Sequence, residues 1–223
     1  MRPFVVAALL PALTTLSSNV AGGFGAGRGP GFANHLWQNK RVITVSVLVD
    51  QNAPAQQSFI VELLSAVSEE YRRNVNIEFK IVEFLPYSGD LTLYPIDQAL
   101  HLRQIPTAGE IRIIFSNQMG REDDLSLALG DRSENLLAGS SHDYFGHIIL
   151  YNVEKRARKK DRAGNPALLT SLKHEVAHLF GVGHSTDRRS FMYTPSSLSY
   201  GRWTEDVIRQ VLEHRDKRWF PHA

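Results

Sequence analysis

The sequence predicts an α+β domain in which a twisted mixed sheet of about five strands packs against a packing helix, a histidine-bearing helix and a C-terminal helix. Two observations lead to this fold class. Short runs rich in Val and Ile are bounded by turn residues, which is typical of strands. Longer segments place apolar residues three and four positions apart, which is typical of helices that bury one face.

The predicted elements follow one another as strand, helix, several strands and two further helices. Residues 41–50 alternate and are rich in Val and Ile, so they predict the first strand. Asn165 and Pro166 supply an N-cap and a first helical position for the second helix. The strands are expected at residues 41–50, 75–85, 110–117, 136–141 and 146–152, and the helices at residues 54–73, from 166 to about 181, and 207–218.

Length, charge and cysteine content limit the classes of protein to consider. With 223 residues, 43% of them hydrophobic, the chain can form one domain with a sizeable core, which we place at residues 40–223. The formal net charge of +2 gives no argument for nucleic acid as a partner. Cysteine is absent, which excludes a thiol nucleophile and thiolate metal ligands. We expect a monomer.

The first 22 residues resemble a secretory signal peptide. Arg2 supplies a positive start, residues 4–16 a short apolar core, and residues 20–22 a small-residue cleavage site. Residues 23–39 then form a glycine-rich tether and an N-terminal arm. The chain is therefore expected outside the cell, with no membrane partner after removal of the signal. An uncleaved anchor or a buried segment is the alternative.

One stretch, from His174 to His184, carries the chemistry. Residues four apart share a helix face, so His174 and His178 direct their imidazoles at one point. Gly181 can adopt a positive φ without a Cβ penalty, which lets the helix stop and brings His184 to the same point. Three neutral imidazoles leave one coordination position of zinc open, as in catalytic sites. Glu175 is close enough to take a proton from a water on that metal.

Other interpretations of this motif stay open. The histidines would be ordinary core and surface residues if the spacing arose by chance, but five fixed positions make chance a poor explanation. A catalytically inactive zinc-binding module that holds a partner is a second interpretation. The presence of Glu175 argues against it, because a structural zinc does not need that carboxylate. A peptidase restricted to one protein is a third, and the sequence does not separate it from a general one.

Beyond these residues, the chain resembles a metzincin metalloprotease, and within that clan a matrixin. Ser185 follows the third histidine, and Met192 with Tyr193 comes eight residues after it, as in matrixins. The resemblance implies a zincin-like fold over about residues 37–220. The match is incomplete, because Thr194 stands where a proline is common and the chain lacks the cysteine that silences animal matrixins.

The resemblance also implies an activity and further site residues. The activity is zinc-dependent endopeptidase, with one catalytic zinc held by the three histidines and with Glu175 as general base. Met192 would form an apolar floor beneath the metal, and Tyr193 would line a pocket for the substrate. An extended protein or peptide substrate would pair with an edge strand. That strand includes Leu136, Leu137, Ala138 and Gly139.

Three further groups of residues carry weaker signals. Residues 119–134 hold several carboxylates and would suit calcium, but no ligand spacing is recognisable and a solvated loop is favoured. His142, Asp143 and His147 lack a clear fourth ligand for a second metal, so surface hydrogen bonding is favoured. Residues 155–162 carry six basic side chains in eight positions. A polyanion-binding patch is the alternative there to the favoured interpretation, a solvated and mobile loop.

Overall fold

The computed structural model describes the part of the chain that carries the histidine motif and the sheet around it. Residues 1–38 lie outside that part, so the signal peptide and the tether stay predictions. Among the helices that are described, none combines the length and the apolar character that crossing a bilayer requires. The described residues are 39–52, 54–89, 102, 104–117, 139–142, 146–162, 164–194 and 199–219.

Strands and helices follow one another in the predicted order, with one additional short helix. The strands are β1 (Arg41–Asp50), β2 (Ile77–Tyr87), β3 (Ile111–Phe115), β4 (Gly139–His142) and β5 (His147–Leu150). The helices are α1 (Gln57–Val75), α2 (Val153–Ala157), α3 (Ala167–Leu179) and α4 (Glu205–Glu213).

The strands form one sheet in the order β2-β1-β3-β5-β4. Strands β2, β1, β3 and β5 run parallel, whereas β4 pairs antiparallel with β5 at one edge. The parallel body of the sheet therefore has four strands rather than five. The short β4 accounts for the mixed character that the sequence predicts.

Alternation along the strands assigns each face of the sheet to its own apolar cluster. Ile113 and Phe115 of β3 join the main core, while Ile114 between them joins a smaller cluster on the opposite face. Ile148 and Ile149 of β5 divide in the same way. The main core also includes residues of α1, α3 and α4. These three helices therefore cover one face of the sheet.

Helix α1 ends in a left-handed residue that turns the chain directly into β2. Asn76 has φ 54° and is the C-cap, and its backbone N–H donates to the carbonyl of Arg72. Ser68 then ties the helix to the strand, because its Oγ accepts the backbone N–H of Phe79 at 2.9 Å. These contacts hold α1 against the sheet on the side where α3 lies.

Two predictions about segments near the sheet need correction or stay partly untested. The basic segment at residues 155–162 is not simply a mobile loop, because α2 includes its first three residues and Asp161 is buried. Asp161 accepts hydrogen bonds from Asn165 and from the Thr170 hydroxyl, which orders the connection into α3.

The predicted strand at residues 136–141 corresponds to β4, which is described only from Gly139 onwards. The following sites lie wholly or partly outside the described residues: Leu136, Leu137, Ala138, Asp143 and the acidic residues 119–134.

Candidate metal centre

Helix α3 ends in the turn that the histidine motif needs. Gly181 has φ 78° and donates its N–H to the carbonyl of His178, while Val182 donates to the carbonyl of Ala177. This pair of bonds is the Schellman arrangement, which reverses the chain after a helix. The prediction that Gly181 ends the helix with a positive φ is therefore confirmed, and the turn places His184 beside the helix.

The segment after His184 folds back beneath the helix. The N–H of Ser185 donates to the carbonyl of Met192 at 2.9 Å, and Ser185 forms a parallel bridge with Tyr193. Met192 is completely buried in the main core, and Tyr193 is half-buried. The turn that follows the histidine motif in sequence thus lies next to it in space.

The three imidazoles converge through one nitrogen each. The Nε2 atoms of His174 and His178 are 3.0 Å apart, and those of His178 and His184 are 3.2 Å apart. Three nitrogens at zinc bonding distance on a tetrahedral ion are about 3.4 Å apart, so this arrangement has the dimensions of a zinc site. Within the part of the chain that is described, three or more His, Asp or Glu side chains come close enough together to hold a metal at this one place.

Backbone carbonyls determine which nitrogen of each ring is available. The Nδ1 of His174 lies 2.9 Å from the carbonyl oxygen of Phe191, and the Nδ1 of His178 lies 2.7 Å from that of Val182. A carbonyl only accepts, so each Nδ1 carries the proton and each Nε2 keeps its lone pair toward the common point. The pKa of His174 is lowered to about 4, chiefly by burial and also by the other two histidines, while the hydrogen bond to the Phe191 carbonyl opposes this shift. His174 is therefore neutral at physiological pH, as a ligand must be.

Glu175 lies on the adjacent face of α3, where it is buried. Half-buried Arg156 on α2 lies near enough to interact with it electrostatically. Burial lowers the pKa of Arg156, and the negative charge of Glu175 raises it. The structure thus places a buried carboxylate one residue after the first histidine.

The structure brings together most, but not all, of the residues that the sequence singles out. Glu175, Met192, Tyr193 and the three histidines occupy one region around the end of α3. The second metal site considered at His142, Asp143 and His147 is described only in part, and its histidines belong to β4 and β5. β4 lies at one edge of the described sheet.

Sequence reasoning missed the residues that hold the site from behind. Lys173 is 2% exposed and donates to Glu70 of α1 at 2.7 Å and to the carbonyl of Gly201 at 2.8 Å. The available signal was its position: Lys173 lies four residues after Leu169, on the apolar stripe of an amphipathic helix. A cation at such a position indicates a buried partner.

Comparison with solved structures gives this fold a class. The chain is similar to an archaemetzincin from Methanopyrus kandleri, with a TM-score of 0.58, 12% identity, and coverage of 78% of this chain and 96% of that one. It is also similar to metalloproteinase-II from Bacteroides fragilis, with a TM-score of 0.53, 14% identity, and coverage of 78% of this chain and 53% of the other. A zinc-dependent peptidase from Methanocorpusculum labreanum strain Z aligns with a TM-score of 0.47 and 15% identity, over 75% of this chain and 99% of that one. No model of a known protein family and no curated protein sequence matches the chain.

The fold is therefore one that the chain shares with an archaemetzincin and a metalloproteinase. The first two neighbours share it at an identity that speaks for the fold alone. They are an archaemetzincin and a bacterial metalloproteinase, so they do not support a matrixin in particular. The matrixin assignment stays a prediction that depends on Ser185, Met192 and Tyr193.

Proposed function

We propose that the protein is a zinc-dependent endopeptidase that hydrolyses peptide bonds in extended protein substrates. The observation that carries this proposal is the convergence of three imidazole Nε2 atoms beside a buried glutamate, at the end of one helix. Of the described side chains, the three ligands would be His174, His178 and His184. Three neutral nitrogens suit zinc in a catalytic site, where the fourth position is left to water or substrate.

Zinc in this site would supply a Lewis acid for the scissile carbonyl and a water of lowered pKa. Glu175 accepts the proton of the attacking water and delivers it to the nitrogen of the departing amine. The carbonyls of Phe191 and Val182 keep the two helical imidazoles in one tautomer throughout. Met192, completely buried, keeps the underside of the centre free of water.

The substrate would bind as an additional strand along β4. This strand ends the described sheet on one side, and pairing there would use backbone groups of the substrate more than its side chains. Tyr193, half-buried and bridged to Ser185, the residue after the third histidine, would line the pocket for the residue after the scissile bond. Secretion, which the first 22 residues predict, and a monomeric state belong to the same proposal.

A zinc-binding module without catalysis is the second candidate, and one variant separates the two. In Glu175→Gln, the protein should keep its zinc but lose about 10²–10⁴-fold in kcat on a peptide substrate, because the proton carrier is gone. The wild-type rate should vanish with a chelator and return with zinc. Exposed Glu213 on α4 supplies the matched control Glu213→Gln, which should behave as the wild type. Equal rates for the wild type and Glu175→Gln would reject the general-base role, and a zinc-loaded protein without any peptidase activity would favour the module.

A further inference from the structure

Lys173 connects three parts of the fold immediately behind the candidate metal centre. It precedes the first histidine in sequence, and its side chain is buried. Its Nζ donates to Glu70 on α1 at 2.7 Å and to the Gly201 carbonyl at 2.8 Å. Trp203 donates its indole N–H to the same Glu70 oxygen at 3.0 Å. We call these four residues the Lys173 anchor.

The anchor reaches the turn beneath the histidines by two routes. In the first, the Lys173 ammonium lies 5.1 Å from the centre of the Phe191 ring, and the Trp203 ring packs edge-on against the same ring at 4.8 Å. In the second, Gly201 donates its N–H to the Ser199 hydroxyl, which in turn donates to the carbonyl of Ser190. Ser190 and Phe191 begin the turn that contains Met192.

That turn supplies a ligand's hydrogen-bond partner. The Phe191 carbonyl lies 2.9 Å from the Nδ1 of His174. Partners of this kind set the tautomer and the angle of a metal-bound imidazole, and their loss commonly weakens metal binding by about 10–100-fold. Any displacement of Phe191 therefore changes the direction in which the His174 Nε2 points.

The composition and position of the anchor argue against a purely stabilising role. A buried ion pair contributes little net stability, because desolvation of both charges offsets their attraction. An apolar residue at position 173 would continue the apolar stripe of α3 and would avoid that cost. The fold instead places an ammonium where it donates to the Gly201 carbonyl and also lies over the Phe191 ring. Directional contacts of this kind fix position more than they add stability.

We propose that Lys173 and Glu70 are positioning residues for the metal centre. They hold the Phe191 carbonyl within hydrogen-bond distance of the His174 Nδ1. This inference rests on the metal site of the proposed function but not on peptide hydrolysis. Lys173 acts through the turn and touches neither metal nor substrate. The coupling joins the centre to α1, a helix that contributes none of its ligands.

Cobalt(II) is the probe that separates positioning from stability, because its absorption spectrum reports ligand geometry. Metal-free wild type, Lys173→Met and the double variant Lys173→Met/Glu70→Gln would be titrated with cobalt, and their thermal unfolding followed. Lys173→Met should bind cobalt about 10–100-fold more weakly and with a shifted visible spectrum. The double variant should regain stability, because position 70 no longer holds a carboxylate that has lost its ammonium partner, yet keep the weaker binding and the shifted spectrum.

The chain offers a matched control in another partly buried ion pair. The side chains of Arg41 and Glu110 are 5% and 31% exposed, which closely matches 3% and 31% for the side chains of Lys173 and Glu70. Arg41→Met should lower stability without changing the cobalt affinity or spectrum. A double variant with wild-type affinity and spectrum, or an Arg41→Met protein that shows the same changes as Lys173→Met, would overturn the inference. A wild type that binds cobalt but cleaves no peptide would reject the proposed activity and leave the anchor standing, whereas one that binds no cobalt would reject both.

Discussion

At the scale of single residues, the centre depends on which nitrogen of each imidazole holds the proton. Two backbone carbonyls, those of Phe191 and Val182, settle this for His174 and His178. A sequence motif does not reveal these carbonyls, because every amino acid has a backbone carbonyl. The residues that can be read from a sequence therefore supply the ligands, while the fold supplies their orientation.

The buried state of His174 leads to a pH-dependent stability of the metal-free protein. Its pKa is lowered to about 4 in the folded chain from 6.5 for a free imidazole, chiefly by burial. The unfolded chain then binds this proton first, so stability is full above pH 6.5 and decreases as the pH falls toward 4. The contribution lost is about 3 kcal/mol.

Urea unfolding of the metal-free protein at pH 7, 6, 5 and 4 measures this loss. His174→Gln should flatten the pH dependence by about that amount, because glutamine does not titrate in this range. Exposed His214 provides the control, and His214→Gln should keep the wild-type profile. Parallel profiles for the wild type and His174→Gln would show that this imidazole is not the group responsible.

At the scale of secondary-structure elements, the proposed site involves helix α3, which carries histidines, and the edge strand β4, where substrate would bind. Helix α3 packs its apolar stripe into the main core and carries two of the three histidines, while β4 ends the described sheet. Helix α3 lies against both β4 and β5, so a peptide added to β4 would run close to the histidines. The proposed binding mode therefore needs no residue from the far side of the sheet.

Pairing of a substrate with β4 predicts an alternating response to backbone methylation. In an antiparallel or parallel ladder, every second amide of an added strand faces its neighbour, and a methyl group there removes one hydrogen bond. A series of peptides, each with one N-methylated amide away from the scissile bond, should show kcat/KM reduced by about tenfold at alternate positions. The unmethylated peptide and the intervening positions are the controls. A uniform response along the series would argue against strand addition.

At the scale of the whole molecule, the sequence predicted the element order well because periodicity is strong in the buried parts. The residues of β1 and α1 show clear strand and helix patterns, and their predicted and observed bounds agree within a few positions. The motif at His174–His184 also predicted the convergence of its own histidines, because its spacing depends only on the geometry of one helix and one turn. Local geometry is readable from local sequence.

What the sequence did not show depends on contacts between distant segments. Lys173 and Glu70 are far apart in the chain, and neither belongs to a recognisable spacing. The basic segment was expected to be mobile because its charges suggest a solvated loop, but buried Asp161 and the hydrogen bond to Thr170 order it. The matrixin assignment relied on a few residues around Met192, whereas the solved structures that share the fold are an archaemetzincin and a metalloproteinase.

X-ray absorption at the zinc edge of the zinc-loaded protein tests the central claim most directly. The account predicts one zinc per chain with three imidazole nitrogens at about 2.0–2.1 Å and a fourth light-atom ligand from solvent. His178→Ala should lose this signal at equal zinc concentration, whereas His214→Ala should retain it in full. A spectrum of the wild type with fewer than three imidazoles, or with four protein ligands and no solvent position, would contradict a catalytic zinc held by His174, His178 and His184.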